Sequence, residues 1–298
     1  MDKDLQGEVS GINIGFIENT VSPSPIVKWA GGKSKLISIY KSLLPQRFRY
    51  YYEPFVGGGA LFFYLYNNKY IIRANLNDSN RELINLYQCI RDSVEELLEE
   101  LERHEVNKSN RKYYYQVRNL DRDSVFLDKY TPAQRAARVL YLNKTCYNGL
   151  FRVNRKNQFN VPFGNYKNPN IKDATNLLSV SKALKTATIT CQDFQQAVSN
   201  ARSGDFVYFD PPYYPVSATS FFTSYTENSF SGKDQQRLAQ TFRELDQRGC
   251  YVMLSNSNIE PVLKLYKDFR IEKLTARRAI NSQGDGRGPV PEIVIINY

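Results

Sequence analysis

The sequence predicts an α/β fold in which a parallel sheet carries helices on both faces. Short apolar extended stretches alternate with helix-like stretches over much of the chain, which is typical of strands joined by helical crossovers. The 298 residues suffice for one large domain, or for a core domain with a smaller insert. The alternation stops in the middle of the chain, where charged helical stretches predict such an insert.

The elements begin after a polar stretch rich in Gly, Ser and Asn that ends at Pro25, so we expect residues 1–24 to be a flexible leader. Next come a helix-like stretch after KWAGGK, the strand YYEPFV, a glycine turn, the helix ALFFYLYNN, the strand YIIRANL and the helix RELINLYQCI. Residues 91–170 form the predicted, mainly helical insert. The pattern resumes with TATITCQDF and GDFVYFDPPYY and closes on FRIEKLTA and EIVIINY. Residues 25–90 and 171–298 therefore form one discontinuous domain.

Composition narrows the classes of function. The net charge of +10 suits a polyanionic partner such as nucleic acid. The single histidine, His104, excludes catalytic triads and zinc sites built from several histidines. The four cysteines form no C-x-x-C pair, so they predict neither a zinc cluster nor a disulfide framework, and we expect each to be buried.

The chain shows no targeting or membrane signal. No apolar run approaches the roughly 20 residues of a membrane-spanning helix. The start, MDKDLQGEVS, lacks the basic and then apolar layout of a signal peptide. We therefore expect a soluble, cytoplasmic protein that makes no membrane contact.

A glycine turn and an aspartate mark the first candidate site. Gly57, Gly58 and Gly59 stand between a strand and a helix, where the backbone turns tightly and a ligand can approach without meeting a Cβ. No Lys-Ser or Lys-Thr pair follows them, which disfavours a triphosphate loop. Asp78 ends the next apolar stretch, where a carboxylate can accept hydrogen bonds from both ribose hydroxyls. A tight structural turn and a helix cap at Asp78 or Ser79 explain the same residues without a ligand.

The sharpest signal is the D-P-P-Y sequence at Asp210, Pro211, Pro212 and Tyr213, directly after the apolar strand FVYF. The two prolines fix the backbone and remove two donors, which leaves the carbonyls of Asp210 and Pro211 free to accept. A carboxylate, a carbonyl and an aromatic ring at one spot suit a flat ring that bears an exocyclic amino group. A plain Pro-Pro turn with a solvated aspartate is the alternative.

The segments KWAGGK, EPFVGGGALFF, LNDSN, YNGLFRVNRKNQFNVPFGNYKNP, GDFVYFDPPYYP, FTSYTENSF and YVMLSNS resemble, in the same order, those of the Dam-type DNA adenine methyltransferases of the D12 class. The likeness runs from about Val27 to Tyr298 and is nearest to enzymes that methylate adenine in GATC. It implies a Rossmann-like methyltransferase with a mixed sheet, helices on both faces, and S-adenosylmethionine as cofactor without a metal. It also implies that residues 91–170 are a target-recognition subdomain for double-stranded DNA.

The resemblance assigns roles to the matching residues of this chain. Cofactor contacts are implied for Trp29, Ala30, Gly31, Lys33, Pro54, Phe55, Gly57, Gly58, Asp78, Asp193, Phe194 and Asp210. The catalytic pocket is implied to consist of Asp210, Pro211, Pro212 and Tyr213. DNA contacts are implied for Lys28, Lys144, Tyr147, Asn148, Leu150, Arg152, Asn160 and Pro162. Without the family, Trp29 and Phe194 are explained as core packing, Lys33 as a solvated helix start, and the basic segment as a solvated loop.

Within that set, Tyr147 resembles the residue that wedges into the base stack, and Leu150, Arg152 and Pro162 resemble those that read the flanking bases. The polar-aromatic segment between Tyr213 and Ser231 is expected to order over DNA or over the flipped base. Near the end of the chain, an exposed basic loop or phosphate contacts would account for three arginines, Arg277, Arg278 and Arg287.

The expected reaction is direct attack of the adenine amino nitrogen on the sulfonium methyl group, because no cysteine is placed to activate the ring covalently. The target base has to leave the duplex to reach such a pocket. Three alternatives remain: a cytosine amino methyltransferase, a catalytically silent DNA-binding protein, and a nucleotide-dependent oxidoreductase. We expect a monomer that protects DNA from a companion endonuclease, its partner in function rather than in contact.

Overall fold

Seven strands form one mixed sheet at the centre of the protein. The structure is a computed structural model, and it describes residues 21–29, 31–33, 36–71, 73–154, 156–213, 230–277 and 289–298. The strands are β1 Tyr51–Glu53, β2 Ala74–Asn77, β3 Ala187–Thr190, β4 Phe206–Phe209, β5 Tyr251–Ser257, β6 Arg270–Arg277 and β7 Pro289–Ile296. They lie in the order β3-β2-β1-β4-β5-β7-β6. The first five are mutually parallel, while β7 runs antiparallel to both β5 and β6.

Helices connect the strands and cover the sheet. The described helices are α1 Ile37–Tyr40, α2 Ala60–Asn67, α3 Arg81–Asp92, α4 Val94–Glu105, α5 Arg111–Asn119, α6 Phe126–Lys129, α7 Pro132–Thr145, α8 Ala174–Leu184, α9 Phe194–Ala197, α10 Gly232–Gln247 and α11 Glu260–Leu265. The predicted strand YIIRANL is shorter than expected, since only its second half pairs with its neighbours in the sheet. Within the described parts of the chain, none of the helices combines the length and the apolar character that a bilayer crossing requires.

The strand side chains alternate between two hydrophobic cores, one on each face of the sheet. Tyr51 lies in the first core and Tyr52 in the second, and along β4 Phe206 and Val207 divide in the same way. This alternation follows from the two-residue repeat of an extended strand. The prediction of an α/β fold with helices on both faces is therefore confirmed, as is the mixed sheet that the resemblance implies. The alternation of strands and helices predicts a parallel sheet, and that is wrong at β7, which pairs antiparallel with both of its neighbours.

The strand order determines where a ligand site can form. From β1 the chain proceeds outward to β2 and β3, and then returns to place β4 on the other side of β1. In sheets of this kind, ligands bind in the crevice at the carboxyl ends of the strands where the order reverses. Here that point lies between β1 and β4, which are followed by the glycine turn and by Asp210 respectively.

The middle of the chain is mainly helical from α4 to α7, after which residues 146–163 fold back on themselves. Isolated bridges pair Cys146 with Phe163 and Val153 with Phe159, which gives this segment the form of an irregular hairpin. We call residues 146–163 the hairpin segment. Helix α7 packs against α3 and is buried almost all round, so it shares the first core with the helices beside the sheet. Of the four cysteines three are buried, and the expectation was wrong for Cys191, which is exposed.

Candidate active site

The glycine turn lies against an aromatic platform formed by Trp29. Gly57 has a left-handed backbone with φ of 46°, and a Cβ placed on it would stand 2.6 Å from Trp29 Cδ1. The indole in turn stacks on Phe151 of the hairpin segment, with ring centroids 4.9 Å apart. Only glycine fits at residue 57. The glycine turn, Trp29 and the hairpin segment are thus in continuous contact.

Asp78 fastens the glycine turn to the end of β2. One carboxylate oxygen accepts a hydrogen bond from the Gly57 N–H (3.1 Å) and the other accepts from the Asn80 N–H (3.0 Å). The neighbouring Asn77 is buried and joins three strand ends, because its amide donates to the carbonyls of Pro54 and Gln192. The cap of α3 is made by Asn80, which accepts from the Leu83 N–H, and not by Asp78 or Ser79.

A cavity of about 630 Å³ opens beside these strand ends. Its lining consists of Pro54, Phe55, Asn77, Ser79, Gln192, Asp193, Phe194, Phe230, Asp234 and Arg237. The volume falls within the roughly 300–1,000 Å³ of typical small-molecule sites. Four of the predicted cofactor residues, Pro54, Phe55, Asp193 and Phe194, therefore meet around one cavity.

The aromatic wall of this cavity is held in place from α10. Phe194 stacks on Phe55 at 5.5 Å, and the Arg237 guanidinium lies 5.0 Å from the Phe194 ring centroid. Arg237 also donates to Asp193 (2.9 Å) and to Gln195. Asp193 further caps α9 by accepting from the Gln195 N–H. Phe194 is buried, so the packing interpretation and a place at the cavity are both correct for it.

The D-P-P-Y corner follows β4 at the same edge of the sheet. Helix α10 and strand β5 hold it, because Gln235 donates to the Pro212 carbonyl (3.1 Å) and accepts from Asn256 (3.0 Å). Among the described hydrogen bonds none reaches the Pro211 carbonyl. The corner lies at the sheet edge beside the glycine turn and is not sealed in the core, since Asp210 keeps about a fifth of its side chain exposed.

Lys33 lies across this corner as a buried cation. Its ammonium donates to Asp210 Oδ1 (2.8 Å) and to the Gly31 carbonyl (2.7 Å), and it stands 4.6 Å from the centre of the Tyr213 ring. Glu292 lies 3.6 Å from the ammonium and accepts a hydrogen bond from the Tyr213 hydroxyl. Lys33 is only 4% exposed, so the expectation of a solvated helix start does not describe it.

Burial raises the pKa of the carboxyl groups at this edge. For Asp210 the pKa rises to about 6, because burial and Glu292 outweigh the opposing ammonium of Lys33. For Asp78 it also rises to about 6, because burial outweighs the backbone hydrogen bonds to the carboxylate. The pKa of Glu53, at the end of β1, rises to about 8 for the same reason. Shifts of this kind are typical of functional sites.

The basic residues predicted to contact DNA surround a second concavity. Lys28, Asn143, Lys144 and Gly149 line a cavity of about 380 Å³ together with residues 166–170. Burial lowers the pKa of Lys144. From residue 144 to residue 172 the chain carries six Lys and Arg and no Asp or Glu. Such a concentration of cations is suited to phosphate groups.

The hairpin segment presents the remaining predicted DNA contacts. Tyr147 is 45% exposed, its N–H donates to the Pro162 carbonyl, and Asn148 beside it is left-handed. The Arg152 guanidinium donates to the side-chain oxygen (2.8 Å) and the carbonyl (3.3 Å) of Asn160. Leu150 is half-buried, and Pro162 is exposed. These residues thus occupy one loop, with Arg152 oriented by Asn160.

Some expected residues lie outside the described part of the chain, and some important ones were not expected. Ala30, the segment 214–229, residues 1–20, and the C-terminal Arg278 and Arg287 belong to the first group. The sequence reasoning did not single out Glu53, Phe230, Gln235, Arg237, Asn256 or Glu292. One signal existed, since Glu292 is the only charged residue in the closing strand EIVII.

Comparison with known proteins finds a matching family and several similar proteins. Residues 29–280 match the family described as D12 class N6 adenine-specific DNA methyltransferase. A type II methyltransferase of Lactococcus lactis, M1.LlaDCHI, is 46% identical over 283 residues, covering 94% of this chain and 98% of that protein. The type II methyltransferase M.MjaIII of Methanocaldococcus jannaschii is 44% identical, covering 92% and 99%. A DNA adenine methylase of Serratia marcescens is 36% identical, covering 91% and 97%.

Proposed function

Because the chain belongs to the D12 class of N6 adenine-specific DNA methyltransferases, we propose that it methylates adenine in GATC to protect DNA within a restriction-modification system. One observation carries the proposal furthest. The glycine turn after β1 and the Asp210 corner after β4 lie side by side at the reversal point of the sheet. The relatives named as type II methyltransferases support the protective role, and the resemblance of the hairpin segment supports GATC.

The residues around the 630 Å³ cavity fit a nucleoside ligand. Phe55 and Phe194 offer an apolar, aromatic wall, and Asp193 offers a carboxylate at the polar side of the cavity. Asp78 stands between the lining residues Asn77 and Ser79 in sequence and accepts a hydrogen bond from the Gly57 N–H. Gly57 leaves space where any Cβ would collide. When bound, S-adenosylmethionine supplies a methyl group on an electron-poor sulfonium sulfur. We assign its binding to Trp29, Gly31, Lys33, Pro54, Phe55, Gly57, Gly58, Asp78, Asp193, Phe194 and Asp210.

The Asp210 corner binds the exocyclic amino group of an adenine that has left the duplex. The amino lone pair is delocalised into the ring, so the nitrogen is a weak nucleophile. Hydrogen bonds donated by its N–H groups to the Asp210 carboxylate and the Pro211 carbonyl favour a tetrahedral nitrogen and stabilise the positive charge that develops there. Tyr213 stacks on the base, and Pro212 is held by Gln235. Alignment of the amino group supplies the rest of the rate increase.

The hairpin segment and the basic concavity read and hold the DNA. Lys28 and Lys144 contact phosphates or bases at the rim, and Tyr147 enters the gap that the flipped base leaves. Leu150, Arg152 and Pro162 contact the bases beside the target, with Asn148 and Asn160 in support. Arginine binds guanine through two parallel hydrogen bonds, so we assign a guanine of the site to Arg152.

Transfer of labelled methyl groups tests the proposal. Duplexes that differ only in the presence of GATC are incubated with the wild-type protein and with Asp210→Ala, and the modified base is identified. The proposal expects N6-methyladenine in the GATC duplex alone, and only with the wild type. Equal label in both duplexes would refute the GATC assignment, and label on cytosine would support the cytosine alternative. No label in either duplex would refute the proposed methyltransferase activity.

Arg152→Ala should relax the sequence requirement more than it slows methyl transfer on GATC. Loss of a bidentate contact to guanine typically costs about 1–3 kcal/mol of discrimination. The measurement is kcat/KM on GATC and on duplexes with a single substituted base pair. Lys156→Ala is the matched control, because this exposed cation of the same segment should weaken binding equally on every sequence. Unchanged preference at every position in Arg152→Ala would refute the assignment.

The kcat/KM for DNA should rise as the pH increases through about 6. The ionised Asp210 carboxylate accepts a hydrogen bond from the amino group and offsets its developing positive charge, and the pKa of Asp210 is about 6, so activity should fall about tenfold per pH unit below that value. Asp78 titrates in the same range, but its protonation acts on cofactor binding. Saturating S-adenosylmethionine at each pH separates the two groups. A flat profile from pH 5 to 8, with circular dichroism showing a folded protein, would contradict the role of Asp210.

A further inference from the structure

Glu292 lies at the D-P-P-Y corner and belongs to the antiparallel part of the sheet. It pairs with Ser257 at the end of β5 and with Leu274 of β6. Because β7 runs opposite to β4 and β5, its first residues lie at the edge where the parallel strands end. Glu292 is 7% exposed there, accepts a hydrogen bond from the Tyr213 hydroxyl, and stands 3.6 Å from the Lys33 ammonium.

Lys33 occupies the position that a target amino group needs. Its nitrogen donates to Asp210 Oδ1 at 2.8 Å and lies 4.6 Å from the Tyr213 ring centre. A base stacked on that face of Tyr213 and bonded to Asp210 would place its own nitrogen in the same space. The ammonium therefore has to move when the base binds.

The direction of that movement is set by the charges within reach. A buried cation that loses its carboxylate is strongly destabilised unless another anion replaces it. Among the described residues, Glu292 is the second carboxylate that lies within 4.0 Å of the ammonium. A small shift of the ammonium away from Asp210 brings it to Glu292, which already holds Tyr213.

We propose that Glu292 is a positioning residue: it receives the Lys33 ammonium when adenine takes its place at Asp210, and it keeps the Tyr213 ring oriented for stacking. The inference rests on the proposed function, since it needs a base in the corner. Glu292→Gln isolates the first part, because an amide oxygen still accepts from the Tyr213 hydroxyl but carries no charge to hold the ammonium.

A double-mutant cycle with Lys33→Met tests the inference by DNA binding, without turnover. Fluorescence anisotropy with S-adenosylhomocysteine present gives the Kd for a GATC duplex and for the same duplex with the target base missing. The Kd for the duplex without the target base, divided by the Kd for the intact duplex, measures how well adenine binds in the corner. Glu292→Gln should lower this ratio at least about fivefold when Lys33 is present, and by less than about twofold in Lys33→Met. An equal fall in both backgrounds would indicate a structural role only and overturn the inference.

Kinetics and a control variant complete the test. In single-turnover transfer, Glu292→Gln should lower the rate while the Kd for S-adenosylhomocysteine stays within about twofold. Glu272→Gln on β6 is the matched control, since Glu272 pairs with Arg270 away from the corner and should leave both readouts unchanged. A wild type that transfers no methyl group would refute the proposed function. A wild type that transfers, with Glu292→Gln equal to it in both readouts, would refute this inference alone.

Discussion

Replacement of Asp210 by asparagine is expected to lower the single-turnover rate of methyl transfer by at least about 100-fold, the usual effect of removing one preorganised group at a developing charge. The variant keeps the shape of the side chain but loses its negative charge and replaces one acceptor oxygen with a donor. The amino nitrogen gains positive charge during transfer, so an amide beside it stabilises that state far less. The measurement is transfer of labelled methyl groups with enzyme in excess over a GATC duplex.

The matched control is Asp205→Asn, at the other end of the same strand. Asp205 is 2% exposed and accepts hydrogen bonds from the backbone N–H groups of Tyr50 and Arg202. Its replacement should lower the free energy of unfolding without lowering the single-turnover rate of the folded fraction. If Asp210→Asn transferred within tenfold of the wild type, Asp210 would not be the acceptor that the chemistry needs.

The parts of the site that follow parallel strands could be predicted from the sequence. Gly57, Asp78 and Asp210 each come directly after an apolar stretch, and the carboxyl ends of parallel strands meet at one edge. The local sequence pattern alone therefore predicts that these residues lie close together. The glycine turn needed no more information, since a left-handed φ at Gly57 is what a tight strand-to-helix turn demands.

The parts contributed by distant elements could not be predicted in the same way. Glu292 reaches the corner because β7 inserts antiparallel between β5 and β6, and no local pattern shows that order. Arg237 contacts Phe194 and Asp193 from α10, and it lies 43 residues after Phe194 in the chain. Without the family, the sequence predicts a solvated cation at Lys33, because its acceptors, Asp210 and Glu292, lie far away in sequence.

Contacts inside the hairpin segment were also invisible in the sequence. A basic, Asn-rich loop predicts exposed cations, but Arg152 is held by Asn160 across the hairpin. This pairing orients the guanidinium in the free protein, and under the proposed contact with guanine it would reduce the entropy that binding costs. Likewise Trp29 suggested core packing or a cofactor contact, and its stacking on Phe151 joins the glycine turn to the hairpin segment.

That junction makes Gly57→Ala the second variant with a large expected effect. The new Cβ would stand 2.6 Å from Trp29 Cδ1, closer than such atoms approach, and 3.1 Å from its Nε1, which is a tight contact, at a backbone φ of 46°. A left-handed backbone costs an alanine roughly 1–2 kcal/mol, and overpacking typically costs about 1–3 kcal/mol. We expect the free energy of unfolding to fall by about 2–5 kcal/mol, measured by denaturant titration without cofactor.

The neighbouring glycine separates this geometry from a general intolerance of the turn. Gly58 has no left-handed backbone, and its added Cβ would stand 3.5 Å from the Val27 carbonyl oxygen, an ordinary contact. Gly58→Ala should therefore lose less than about 1 kcal/mol of stability, the usual limit for a substitution without a clash. In Gly57→Ala the indole has to shift from Phe151, so affinity for S-adenosylhomocysteine and for GATC duplex should fall together. Equal stability of the two variants would show that Trp29 does not hold the turn.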